Sequence, residues 1–279
     1  MDPHSLRRLP SCTLPGTLQM AIDAWLLDRI MQGDRHGPLL RLYRWSRPTL
    51  SLGRHQREVP PHWLQLAAEG RLDLVRRPSG GSAVLHGGDL TYALIWPHPP
   101  RQRREAYHLS CLWLQEAFAA MGLPLEFGHA PCQPSQANCF ATSTAADLVH
   151  SSGQKRIGSA QRWRGHALLQ HGSIAIEPDA ALWEAVFHTS VPVLPELPLS
   201  GEALDLLLFR SASRWWSKVA PEGNARGAGD GPFHDPLRDW EWMAVRSNQT
   251  AYEVLTLAGN PSADSAMALA TGSSARPSG

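Results

Sequence analysis

A chain of 279 residues, 43% hydrophobic and 18% charged, can bury one sizeable core without disulfide staples, with at most a tail besides. Its 26 basic and 25 acidic residues leave a formal net charge of +1, unlike the basic excess of a dedicated nucleic-acid binder, and no run reaches the roughly 18 apolar residues a membrane helix needs. Arg7 and Arg8 have no apolar stretch behind them, so no secretory signal is expected. The four cysteines, Cys12, Cys111, Cys132 and Cys139, lack zinc-ribbon or CxxC spacing, which makes a reducing, cytoplasmic setting the expectation.

In chain order, Thr17 is placed to cap a helix whose apolar positions Leu18, Ile22, Trp25, Leu26 and Ile30 share one face, closed by Gly33 and Gly37. Two β-like runs follow, Leu39 to Trp45 and Thr49 to Leu52, split by a turn at Pro48. Pro60 and Pro61 open a short helix that runs to about Glu69 and stops at Gly70. Three short strands come next, Asp73 to Arg76, Ser82 to His86 and Leu90 to Trp96. Their connections are too short for crossover helices, which predicts an antiparallel meander. In the helix predicted from Arg103 to Met121, the residues Tyr107, Cys111, Leu114, Phe118 and Met121 step by 4, 3, 4 and 3. That apolar stripe makes Cys111 core filler, and Gly122 and Pro124 end the helix.

From Gly128 to Ala146 the chain is small and polar, and a loop of that length in a compact domain is expected to be functional or disordered. Strands resume at Asp147 to Val149, Lys155 to Gln161 and Ala167 to Ile176, the last two paired across a turn at Arg162 to Gly165. A short helix from Ala180 to Phe187 leads through a Pro-rich link to an apolar helix from Glu202 to about Lys218. Beyond Val219 the composition turns to Gly, Ala, Ser and Pro. The expected organisation is a mixed α/β (α+β) domain over residues 17–218, a largely antiparallel sheet flanked by helices, with a poorly structured tail over 219–279.

Three clusters could carry chemistry. In Arg76-Arg77-Pro78-Ser79-Gly80-Gly81 the paired glycines permit positive φ and close approach to a ligand, and the arginines offer charge to a carboxylate or phosphate. An ordinary glycine hairpin with solvated arginines has the same pattern. In the run Gly153 to Gln161, Lys155 lies in a strand that also carries Gly158 and Ala160, small residues where something can press on the sheet. Lys155 is one of only two lysines, with Lys218, among the 26 basic residues, so a primary amine is a candidate requirement there; a surface lysine on an edge strand fits as well. Cys139, beside Phe140, lies in the long polar loop, where a thiol needs a nearby cation or helix N-terminus to bring its pKa down from about 8.5. Lys155 is a candidate for that cation. His129, Cys132, Cys139 and His150 do not fit standard zinc spacing.

Taken in order, Arg76-Arg-Pro-Ser-Gly-Gly-Ser-Ala-Val-Leu-His86, Asp89-Leu-Thr-Tyr92, Cys139-Phe140, Asp147-Leu-Val149, Gly153-Gln-Lys-Arg-Ile-Gly-Ser-Ala-Gln161 and Gln170-His-Gly-Ser-Ile174 resemble the lipoate ligase and octanoyltransferase family. Met20 to Leu27, Arg41 to Trp45 and Thr49 to Gly53 agree, so the resemblance covers about residues 17–187. Biotin ligases share the family's fold, but the Gly-Arg-Gly-Arg-type loop they carry is missing. Cys139-Phe140 ahead of Asp147-Leu148-Val149 is similar to the cysteine-dependent octanoyltransferases.

The resemblance implies a biotin/lipoate ligase-like catalytic domain, with Cys139 as acyl acceptor and Lys155 at the acyl carbonyl. It places Arg76, Arg77, Gly80, Gly81, His86, Gly158, Ser159, Ala160 and His171 around the substrate, with Val84, Leu85 and Ile157 expected along the acyl slot. The implied partners are acyl carrier protein as donor and, as acceptor, lipoyl domains of 2-oxoacid dehydrogenases or glycine cleavage protein H. No nucleic acid, membrane, metal or cofactor is implied; ATP and Mg enter only for an ATP-dependent lipoate ligase, which needs no cysteine nucleophile. Three alternatives stay open: that ligase, an amidotransferase that moves octanoyl between lipoyl proteins, and a non-catalytic member that binds acylated carrier proteins. Arg101 to Arg104, or Arg162 and Arg164, could meet an acidic carrier, although solvated loops have the same composition.

Overall fold

The computed structural model describes residues 6–32, 38–128, 147–219 and 237–254. Two strands not anticipated from the sequence, β1 (Arg7–Arg8) and β2 (Cys12–Leu14), lie parallel to β3 (Leu39–Trp45). Each is too short to display a period of two. Helix α1 (Gly16–Met31) begins one residue before the expected Thr17 cap: Pro15 holds the cap position with no side-chain hydrogen bond. What holds the helix is burial of Met20, Ile22, Leu26 and Leu27 rather than its cap.

Strands β4 (Thr49–Leu52), β5 (Asp73–Arg76) and β6 (Val84–His86), with helix α2 (Pro61–Ala68) between the first two, form a small sheet of order β5-β4-β6. The antiparallel meander expected for residues 73–96 does not form. Helix α2 acts as a crossover, so β5 returns parallel to β4, and only β6 runs antiparallel to it. Gly87 and Gly88, at φ 126° and 127°, then turn the chain out of the small sheet. A Cβ at Gly88 would fall 2.1 Å from the Glu177 carbonyl oxygen, so only glycine fits the crossing.

The large sheet takes in β7 (Asp89–Pro97) and, after helix α3 (Arg103–Ala120), strands β8 (Glu126–Phe127), β9 (Leu148–Val149), β10 (Lys155–Arg164) and β11 (Ala167–Ala175). Its order is β1-β3-β7-β11-β10-β9-β8, with β2 beside β3. β10 and β11 make the expected hairpin, but pairing persists to Arg164 and Ala167, so the turn is Gly165-His166 rather than Arg162 to Gly165. Alternation along β3 and β7 feeds two cores. Leu40, Leu42, Tyr92, Leu94 and Trp96 pack with Trp113, Leu114 and Phe118 of α3 and with Leu208 and Trp215. The last two belong to helix α5 (Gly201–Val219). Leu39, Tyr43, Ala93 and Ile95 face α1 instead. Each large side chain so buried contributes about 1.5–3 kcal/mol. Cys111 is inside the first core, as its stripe predicts. Helix α2 and helix α4 (Ala180–Phe187) cover the small sheet through Trp63, Leu66, Leu182 and Trp183.

The expectation of an unstructured tail over 219–279 needs correction, because helix α6 (Asp239–Ser247) and a 3-10 turn (Gln249–Tyr252) fall within it. Val245 is fully buried against the α1 core, and Trp240 meets Trp25 edge-on at 6.2 Å. Nine residues set in Gly/Ala/Ser-rich chain carry too little periodicity to announce a helix; docking on α1 supplies the stability. With β1 and β2 ahead of residue 17, the folded unit is wider than the expected 17–218 at both ends. No helix among the described residues is long and apolar enough to cross a membrane.

Candidate active site

A cavity of about 460 Å³, open mouth included, lies where the small sheet meets the α1 face of the large one. Of the residues expected around a substrate, Arg77, Gly81, His86, Gly158, Ser159, Ala160 and His171 line it. Arg76 and Gly80 do not: Arg76 donates to the Gly53 and Gln56 carbonyls at 3.0 and 2.6 Å, and the Gly80 carbonyl accepts from Arg77 at 2.8 Å. Val84 lines the cavity, whereas Leu85 and Ile157 pack into the cores beneath the two sheets.

Arg77 is not a bare charge. Its Nη1 donates to the Ser51 carbonyl at 2.7 Å and its Nη2 to the Ser82 carbonyl at 2.7 Å, tying the 77–82 loop to β4. The loop packs so closely that a Cβ at Gly53 would lie 1.8 Å from the Gly81 carbonyl oxygen.

Two buried histidines are held on both ring nitrogens. His171 bonds Asp23 through Nδ1 at 2.9 Å and the Ser79 hydroxyl through Nε2. Asp23 also accepts from Arg41 Nη1 at 2.6 Å and from the Tyr43 hydroxyl at 2.9 Å. Burial alone would raise the Asp23 carboxyl, but Arg41 and His171 together hold it below the ordinary range. Burial, then the neighbouring Asp23 charge, pushes the Tyr43 phenol well up. His86 bonds the Ser51 hydroxyl through Nε2 at 2.9 Å and Asp89 through Nδ1 at 2.8 Å, and its ring stacks on Trp45 at 3.9 Å. Asp89 accepts in addition from Ser173 at 2.7 Å and Thr91 at 3.1 Å. Against the upward push of burial, His86, the Ser173 hydroxyl and the Gly87 N–H keep it below its usual value.

Lys155 is not itself among the residues lining the cavity; it lies against Gly158, which is, because β10 starts with a bulge. Lys155 pairs with Val149 and Ile157 with Leu148, two steps on β10 against one on β9. The extra residue breaks the alternation and lays Lys155 across Gly158, where a Cβ would sit 2.8 Å from Cε and 3.1 Å from Nζ. Lys155 is buried and ion-paired, Nζ to Asp147 Oδ1 at 3.0 Å. The Asp147 carbonyl accepts from Gly128 N–H at 3.0 Å, so the chain before residue 129 and the chain after residue 146 meet beside Lys155. Cys139, Phe140, Cys132 and His129 lie outside the described residues.

The other cysteines are placed differently. Burial pushes the Cys111 thiol up to about 12, leaving it inert. Cys12, half-buried on β2, lies 3.7 Å from Arg41. His150 accepts from Arg156 Nε at 3.0 Å; burial and that cation lower its pKa, a poor setting for a metal. Among the described residues no His, Cys, Asp and Glu cluster could hold a metal ion.

Asp23, Trp45, Ser51 and Ser173 were assigned no role from the sequence. The available signal was polar side chains inside apolar patterns, Asp23 on the inner face of α1 and Ser51 within Thr49-Leu-Ser-Leu52. Such residues are buried only when hydrogen-bonded, and so mark a network.

The profile of the Lipoyl protein ligase A/B catalytic domain family matches residues 15–192. Octanoyltransferase LipM of Geobacillus kaustophilus is 34% identical over 193 residues, 65% of this chain and 69% of that protein. Octanoyltransferase LipM of Oceanobacillus iheyensis is 35% identical over 57% of this chain and 59% of the relative; its counterpart in Carboxydothermus hydrogenoformans is 36% identical over 62% and 65%. In fold, the chain is similar to lipoate-protein ligase A bound with ATP, at a TM-score of 0.68 and 20% identity over 88% of this chain and 94% of that one. It is also similar to the bi-partite lipoate protein ligase of Thermoplasma acidophilum, solved in work on that ligase and its E2 lipoyl domain, at 0.63 and 18% over 88% and 91%. The chain therefore belongs to the lipoyl protein ligase A/B catalytic domain family, and its kinship within that family is with octanoyltransferases, which are acyltransferases.

Proposed function

We propose that the chain transfers an octanoyl group from octanoyl-acyl carrier protein to a lysine of a lipoyl domain, through a thioester on Cys139 with Lys155 at the acyl carbonyl. The observation that carries this reading is the Lys155–Asp147 ion pair at 3.0 Å, laid over Gly158 at the wall of the cavity. Cys139 precedes Asp147 by eight residues. At up to about 3.3–3.6 Å per residue, that tether is long enough for the thiol to meet the amine. Met20, Trp45 and Val84 give the cavity apolar surface for an acyl chain, each buried methylene being worth about 0.8 kcal/mol.

A cysteine thiolate is a strong nucleophile near neutral pH even when only a few per cent ionised. Attack of Cys139 on the donor exchanges one thioester for another at little free-energy change. Attack of the acceptor lysine then yields an amide, which is downhill, so neither ATP and Mg nor another cofactor is called for. Lys155 serves both steps, as a cation favouring the thiolate and as a donor to the oxyanion, a contribution of about 2.7–4 kcal/mol. The acceptors are lipoyl domains of 2-oxoacid dehydrogenases or glycine cleavage protein H.

The test offers three donors to a lipoyl domain: octanoyl-acyl carrier protein without ATP, octanoylated glycine cleavage protein H without ATP, and free octanoate with ATP. Transfer from the carrier protein, abolished in Cys139→Ala, supports the reading. Transfer only from the glycine cleavage protein makes the chain an amidotransferase. ATP-stimulated use of the free acid that survives Cys139→Ala makes it a ligase, and donor binding with no turnover makes it a non-catalytic member.

A further inference from the structure

Two Ser–His–Asp chains face the cavity, and they differ in charge. In Ser79–His171–Asp23 the carboxylate also holds Arg41 at 2.6 Å, so its charge is matched before the imidazole gains a proton. In Ser51–His86–Asp89 the other partners of the carboxylate are the Ser173 and Thr91 hydroxyls and the Gly87 N–H, all neutral. Ser51 and His86 both line the cavity, whereas Ser79 does not. Asp89, accepting only, makes Nδ1 the donor and leaves Nε2, 2.9 Å from Ser51 Oγ, to receive a proton. Among the described residues, the other charged or titratable groups near this ring are Arg77, whose Nη1 lies 3.3 Å from Ser51 Oγ, and the buried Tyr43 beyond Trp45. Arg77 is placed to stabilise that oxygen while it passes a proton on.

The acceptor lysine, with an ordinary pKa near 10.4, arrives as an ammonium and attacks only as the neutral amine. An apolar cavity disfavours its charge and eases the proton away. We propose that His86 accepts this proton, relayed by the Ser51 hydroxyl, with Asp89 positioning the ring; the assignment rests on the octanoyl-transfer reading above. One ammonium proton moves to Ser51 Oγ as the Ser51 proton moves to His86 Nε2. The freed amine lone pair attacks the thioester carbonyl carbon, and the carbonyl π pair moves to oxygen. That pair returns as the C–S bond breaks; the bonding electrons and the excess proton on nitrogen go to the Cys139 sulfur. Amide and thiol result, and His86 releases its proton to water.

To test this, enzyme is charged with octanoyl-acyl carrier protein and the adduct quantified by intact mass. Its discharge is then timed with a lipoyl domain and, separately, with hydroxylamine, a nucleophile already neutral at pH 7. His86→Gln and Asp89→Asn are expected to slow discharge by the lipoyl domain about 10²-fold or more while leaving discharge by hydroxylamine near the wild-type rate. Ser51→Ala, a one-atom deletion that disturbs packing least, should show the same split. Equal slowing with both nucleophiles, or wild-type rates with both, overturns the assignment and leaves octanoyl transfer standing. A wild-type enzyme that never charges overturns the thioester reading, and this assignment with it.

Discussion

Replacing Gly158 with alanine places a methyl 2.8 Å from Lys155 Cε and 3.1 Å from Nζ. Non-bonded carbons settle at about 3.5–4.0 Å, so the end of Lys155 must retreat by roughly 0.5–1 Å. Overpacking costs about 1–3 kcal/mol, and because the atoms that yield are the flexible end of a lysine, the low end is expected here. Activity should suffer more than stability: misplacing a reacting group by about 1 Å can cost on the order of 10²-fold. Lys155→Met alone should slow transfer about 10²–10³-fold by removing an oxyanion donor. On that background Gly158→Ala should add almost nothing, since no amine remains to be displaced. The assay is the rate of octanoyl transfer to a lipoyl domain for the four members of the cycle, with urea midpoints measured in parallel. A Gly158→Ala penalty that persists undiminished without Lys155 would show that the glycine does not act by keeping room for the amine, and the role given to Lys155 would be wrong.

Asp23→Ala leaves Arg41 buried without its carboxylate and should destabilise the fold by about 3–5 kcal/mol in urea titration; a loss under 1 kcal/mol would contradict the ion-pair account. Gly53→Ala forces a Cβ to 1.8 Å from the Gly81 oxygen and should lower both stability and transfer, whereas Gly80→Ala, with nothing within 4 Å, should be near neutral. Equal behaviour of the two would refute the packing assigned to the 77–82 loop. Asp23 and Asp89 are held below their ordinary range, so their stabilisation is complete above about pH 4 and is lost as pH falls through the folded values. Cys111, raised to about 12, works in the opposite sense: its stabilisation is complete below about pH 8.5 and drains as pH climbs toward 12, at up to about 1.4 kcal/mol per unit. Urea midpoints against pH should therefore fall on both sides of a neutral plateau, with a shallower alkaline limb in Cys111→Ala. An alkaline limb that Cys111→Ala leaves unchanged would remove the thiol from that role.

Local pattern was a good guide wherever one face of an element is buried. β3, β4, β5 and α4 have the bounds that alternation and helical period mark in the residues, and Cys111 is in the core where its stripe puts it. Pairing was harder to read. Nothing local to Asp73–Arg76 says that its partner is Thr49–Leu52 across α2 rather than the strand that follows. The bulge that turns Lys155 toward Gly158 depends on register with β9, a two-residue strand beyond the reach of periodicity. Most of the cavity was legible as a motif, because glycines and paired arginines stand out, yet both arginines bind backbone carbonyls, Arg76 that of Gln56 and Arg77 that of Ser82 in its own loop. The His86 and His171 networks draw on residues far apart in the chain, such as Asp23 and His171, that only the folded sheet brings together.

The most direct measurement is the intact mass of the protein after mixing with octanoyl-acyl carrier protein in the absence of ATP, for wild type and Cys139→Ala. The account predicts one octanoyl addition, released by hydroxylamine, on the wild type and none on the variant, because the acyl group is assigned to Cys139 and Cys111 is sealed in the core. An unmodified wild type, or an adduct that survives in Cys139→Ala, would contradict it.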